Sequence, residues 1–132
     1  MQRQNATNSP ISEYAVFTIK DVLNLDDVFI KLGEFFSTTK ENAWWDLRNI
    51  TKTDFSATSI YVLSNFIKDH QHSYPKGWVV IVANTELSYL ISKTTLLLLR
   101  LDGFKGHAQL FRSRNTALKW IELAAFLGRR KP

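Results

Sequence analysis

Trp44-Trp45-Asp46-Leu47-Arg48-Asn49-Ile50, followed after a short link by Thr53-Asp54-Phe55-Ser56-Ala57-Thr58, reads as a buried strand that hands a serine to the start of a helix. Ala43 to Leu47 is the second strand, its aromatic and apolar residues suiting a pleated, covered surface. Asp54 or Ser56 is a good N-cap for a helix opening near Ala57. A helix start carries unpaired backbone N–H groups and about half a positive charge, so this turn is a place to hold an anion or a phosphoryl group. Ordinary capping uses the same geometry and needs no kinase.

Outward from that turn, strand-like and helix-like periods alternate, the pattern of an α/β domain with a mainly parallel sheet. Glu13 to Lys20 reads as a first strand. Asn24 or Asp26 caps a helix with Val28, Phe29, Leu32, Phe35 and Phe36 on one face. Ile60, Leu63, Phe66 and Ile67 mark a second helix, expected to end before the turn cluster Tyr74-Pro75-Lys76-Gly77. Trp78 to Ala83 is a near-continuous apolar, β-branched run, as in a strand buried on both faces in the middle of a sheet. Asn84 or Thr85 caps a third helix with an expected buried stripe of Leu87, Leu90, Ile91, Leu97, Leu98 and Leu101, stopped by Asp102-Gly103. Ala108 to Phe111 is a last short strand. Ser113 or Asn115 opens a final helix that buries Ala117, Leu118, Ile121, Ala124 and Ala125, with Gly128 expected at its left-handed C-terminal position.

A chain of 132 residues, 45% hydrophobic and 13% aromatic, is long enough for one domain with a proper core. Residues 13–128 are expected to form it, between a flexible N-terminal segment, 1–12, and a basic tail, 129–132. With no cysteine the chain has no disulfide, thiolate metal site or cysteine nucleophile, and a reducing, cytoplasmic setting fits. No apolar run approaches the roughly 18 residues of a membrane span. The net charge of +5 is uneven: residues 1–104 hold ten Lys and Arg against eleven Asp and Glu, residues 105–132 seven against one. That basic segment is either a solvated helix face with a frayed tail or a contact for an anionic partner such as a lipid headgroup.

The order of Trp45-Asp46-Leu47-Arg48, the Val79-Val80-Ile81-Val82 strand, and Leu110-Phe111-Arg112 with Ala117-Leu118-Lys119-Trp120-Ile121 resembles the STAS and SEC14-like small domains, bacterial relatives of the sporulation anti-sigma-factor antagonist. The resemblance runs from about Glu13 to Leu127. It implies a SpoIIAA-like β-α superhelical sandwich, with a mostly parallel sheet of four or five strands, an antiparallel first strand and about four helices. In the antagonist branch a serine in an Asp-Ser-Ser-Gly type turn is phosphorylated by a partner kinase to switch binding. Ser56 matches that serine and Asp54 the acidic position, while Phe55 stands for the first serine and Ala57 for the glycine. The Asp-Leu-Arg strand and the Ala-Leu-x-Trp ending are closer to a largely uncharacterised branch, in which such phosphorylation is not a defining property.

Other chemistry is thin. His70 and His72, two apart, are expected on different faces and His107 lies far off in sequence, which is poor spacing for a metal. Asp46, set beside Arg48, and Asp54 form no acid pair with a recognisable base. None of the glycines makes a phosphate-cradling loop. The expected role is non-catalytic, with no cofactor and no metal: a regulatory or protein-interaction module acting through Asp54, Ser56, Ala57 and Thr58, with Phe55, Ser59 and Trp44 at the interface. The alternative is a SEC14-like carrier or sensor of a small apolar ligand or lipid, its pocket lined by the tryptophans and phenylalanines. Self-association is left open and no nucleic acid is expected.

Overall fold

The computed structural model describes residues 10–74 and 76–130. Residues 1–9 of the expected N-terminal segment, Pro75 of the turn cluster, and 131–132 of the basic tail lie outside the described residues. A 3-10 turn, Pro10–Glu13, leads into β1 (Tyr14–Leu23), and the chain then alternates α1 (Leu25–Ser37), β2 (Asn42–Thr53), α2 (Ala57–Asp69), β3 (Trp78–Ala83), α3 (Glu86–Leu101), β4 (His107–Phe111) and α4 (Arg114–Arg130). Residues 10–12 of the expected N-terminal segment fall in that turn. Among the described residues no helix is long and apolar enough to cross a membrane.

The four strands lie in chain order and every pair is parallel. This corrects the antiparallel first strand. A helix, α1, follows β1 and carries the chain back to the starting end of the sheet, so the next strand enters in the same direction; an antiparallel neighbour would need a hairpin. Successive crossovers of one hand moving one way across a sheet put their helices on one face. Accordingly α1, α2 and α3 share the larger core with Phe17, Ile19, Trp45, Leu47 and Val79. Free of that constraint after the last strand, α4 covers the other face, with Ala117 and Ile121 against Tyr14, Trp44, Val80 and Val82.

Side-chain oxygens cap α1 to α4. Asn24 accepts from the Asp26 and Asp27 amides, Ser56 from Ser59, Thr85 from Ser88, and Ser113 from Thr116. Helix α4 does not stop at Gly128 but runs through it to Arg130; a helical glycine costs stability without breaking the ladder.

The stripe on α3 also differs from its expected phase. Ser88, Ser92, Thr95, Leu96 and Leu99 face inward, while Leu90 and Leu97 are exposed and Leu101 is 82% exposed. The buried hydroxyls of Ser88 and Thr95 donate to the carbonyls of Thr85 and Ile91 at 3.2 and 2.8 Å, which removes the penalty for covering them. On α2, Ser64 does the same with Ile60 at 2.8 Å.

Two phenols are held from water. Burial, helped by the Glu13 carboxylate, pushes the Tyr14 phenol up to about 12, and burial raises that of Tyr74 strongly, against the opposing charge of Arg100. Both stay protonated in the fold at pH values where the unfolded chain ionises, so their contribution is complete below about pH 10 and is lost as pH rises through the folded values. The midpoint of urea unfolding is expected to fall between about pH 9 and about pH 11, and Tyr14→Phe should shrink that fall.

Candidate functional site

The serine turn is positioned by an irregularity in β2. Lys20 pairs with Arg48, but the next partners are Val22 and Lys52, so β2 carries extra residues opposite Asp21. Asp21 and Asn49 absorb the mismatch at φ 67° and 58°, a left-handed conformation that Asp and Asn tolerate better than other side chains. The bulge is pinned to the residue after β3: the Asn49 amide donates to Asn84 Oδ1 at 2.8 Å, and Asn84 Nδ2 donates to Asn49 Oδ1 at 2.9 Å. Thr85 Oγ1 donates to the Ile50 carbonyl at 2.6 Å. Beyond this anchor β2 continues to Thr53, well past the expected strand end at Leu47.

Thr53 Oγ1 donates to the Leu23 carbonyl at 2.8 Å and accepts from the Phe55 amide at 3.0 Å, folding the chain into the turn. Asp54 does not cap α2. Its Oδ1 accepts from the Leu25 amide at 2.9 Å, placing the carboxylate at the start of α1. Ser56 is exposed and caps α2: its Oγ accepts from the Ser59 amide at 3.1 Å and lies 3.0 Å from Ser59 Oγ. Ala57 and Thr58 are exposed on the first turn. The turn thus brings together an exposed hydroxyl, a helix N-terminus and, through Asp54, the N-terminus of a neighbouring helix.

Two expected interface residues lie elsewhere. Trp44 is 0% exposed, because residues 44 and 45 point to opposite faces of a sheet covered on both sides. Phe55 turns inward and packs against the larger core. One turn beyond Ser56, Tyr61 and Val62 are exposed at 58% and 46% and extend the surface of Thr58 along α2. They escaped the sequence reading, which followed only the inward stripe of this helix.

Several other polar groups are engaged within the fold, while the buried Trp44 Nε1 has no hydrogen-bond partner among the described residues. Asp46, buried on the α4 face, takes Arg48 at 2.6 Å and Arg114 at 3.8 Å, and Arg114 also lies over the Trp44 ring at 5.5 Å. Arg112 pairs with Glu86 at 2.8 Å. Part of the basic C-terminal segment is therefore engaged within the fold. His70 stacks on Phe36 at 5.2 Å, with Nδ1 2.8 Å from the Phe66 carbonyl. The ring of His72 lies parallel to it at 6.5 Å, rather than on another face, because the chain leaves α2 between them. His72 and His107, distant in sequence, line one cleft at the opposite end of the sheet. Among the described residues no cluster of His, Asp or Glu could hold a metal ion.

Inside the larger core lies a cavity of about 100 Å³ walled by Leu32, Trp45, Phe55, Leu63, Val79 and Leu96. Ligand pockets start at roughly 300 Å³.

Removing the cap in Ser56→Ala should cost about 1 kcal/mol, read from denaturant unfolding. Asp46→Asn should cost roughly 1–3 kcal/mol by the same measurement, because it takes the charge from a buried acceptor facing two arginines. Against known proteins the chain stands apart: no family model, curated protein or solved structure matches it.

Proposed function

We propose that this chain is a non-catalytic interaction module that docks a protein partner on the turn from Thr53 to Ser59 and the outward face of α2. The observation that carries the reading is the exposed pair Tyr61 and Val62 beside the exposed Ser56 cap. Large apolar side chains next to polar groups at a surface are the composition of a docking patch, and tyrosine is enriched where binding energy concentrates.

A β-α superhelical sandwich of the STAS or SpoIIAA-like kind agrees with four parallel strands in chain order joined by helices. In such a module Ser56 is the position at which charge alters docking. A phosphate there would meet the unpaired amides of the first turn of α2, an attraction that Asp54 nearby in the chain opposes. The carrier alternative has less support, since a cavity of about 100 Å³ leaves little room for a lipid.

The test uses the full chain as bait in extracts of its own host, with Ser56→Glu, Ser56→Ala and Tyr61→Asp compared at equal folded concentration. The protein retained by the unaltered chain is expected to be lost with Tyr61→Asp and reduced at least about ten-fold with Ser56→Glu, while Ser56→Ala retains it. Equal retention by all four, with thermal unfolding unchanged, would remove both the surface and the switch.

A further inference from the structure

At the end of the sheet remote from Ser56, the loops entering β3 and β4 stand side by side, because Trp78 and His107 are register partners. Between them is a cleft of about 300 Å³, at the lower edge of the range for small-molecule sites. Lys76 and His72 come from the first loop, Lys105 and His107 from the second, and among the described residues no carboxylate lines it. Among the described residues neither lysine is in an ion pair.

Close contacts shape both walls. On one side the Gly77 amide donates to the Glu41 carbonyl at 2.9 Å and the Trp78 amide to Asn42 Oδ1 at 2.8 Å. A Cβ at Gly77 would fall 2.0 Å from that Oδ1 and 2.9 Å from the Glu41 carbonyl oxygen, so a side chain there would displace the Asn42 contact and crowd the backbone. On the other side a Cβ at Gly106 would fall 2.4 Å from the Phe104 ring and 2.9 Å from Tyr74. Phe104 and Tyr74 meet edge to face at 4.8 Å and give the cleft an aromatic wall. Cationic and hydrogen-bonding side chains grouped beside an aromatic surface suit a compact anion with an apolar part.

From this arrangement we infer that the cleft binds a small organic phosphate monoester, with Lys76 and Lys105 meeting the phosphate, His72 and His107 donating to it, and the organic part lying on Phe104 and Tyr74. This site is independent of the serine turn, and its failure would leave that reading untouched.

The experiment is an NMR titration of the isotope-labelled full chain with phenyl phosphate and, separately, with inorganic phosphate. Saturable shifts are expected at the His72 and His107 rings and the Gly106 amide, with phenyl phosphate binding more tightly than inorganic phosphate. Lys76→Ala and Lys105→Ala should each weaken phenyl phosphate about ten-fold, while Lys93→Ala, which removes the same charge on α3, leaves it unchanged. No saturation by about 10 mM, shifts centred on other residues, or equal weakening by Lys93→Ala would overturn the site. Equal affinity for the two probes would overturn its preference for an organic ligand.

Discussion

Two adjacent tryptophans divide the molecule. A strand sends successive side chains to opposite faces, so Trp44 and Trp45 cannot share a core, and both are buried. The sheet must therefore be covered twice. Trp45 stacks on Phe17 at 5.0 Å and meets Phe35 at 5.7 Å beneath the three crossover helices. Trp44 meets Tyr14 edge to face at 6.4 Å on the side closed by α4. A slip of β2 by one residue would exchange the two rings and bring Asp46 into the larger core in place of Leu47. The slip would also carry Asp46 away from Arg114 of α4, which lies 3.8 Å from it.

The serine turn inherits its position from this register. Once Trp44, Trp45 and Leu47 are seated, the bulge at Asn49 lengthens β2 on one side only. The paired amides of Asn49 and Asn84 then decide where the extra length goes. Thr53 and Asp54 reach across to Leu23 and Leu25, tying the turn to both the end of β1 and the start of α1. Ser56 is exposed at the end of this chain of restraints, so the surface it belongs to is held by side-chain hydrogen bonds to the backbone together with the inward packing of Phe55.

Much of this was readable in the chain because strong local signals agreed with the final packing. The run Trp78 to Ala83 is β3 to the residue, since a continuous β-branched stretch has no comparable alternative. Asn24, Ser56, Thr85 and Ser113 cap as their residue types prefer. The errors arose where two periods were compatible with one stretch. In α3, leucines occur on almost every face, so hydrophobicity alone could not fix which side turned inward. The small hydroxyl residues Ser88, Ser92 and Thr95 took the core side instead. The end of β2 was missed because its continuation depends on a bulge anchored to Asn84, 35 residues later in the chain. The cleft of His72 and His107 was missed for a related reason: only the pairing of β3 with β4 makes neighbours of two loops that are 35 residues apart at their histidines.

All four helices begin at the edge of the sheet where the strands end, since each follows a strand and runs back across it. Their peptide dipoles share a sense and add, where an up-and-down bundle would cancel them. The molecule consequently has an electrical polarity set by its backbone as well as by its ionised side chains. The end bearing Ser56 is the positive pole of that backbone dipole, although its own carboxylates, Asp54 among them, soften it. In the field of a charged surface such a molecule experiences a torque as well as an attraction, so the backbone itself favours one orientation before any side chain makes contact.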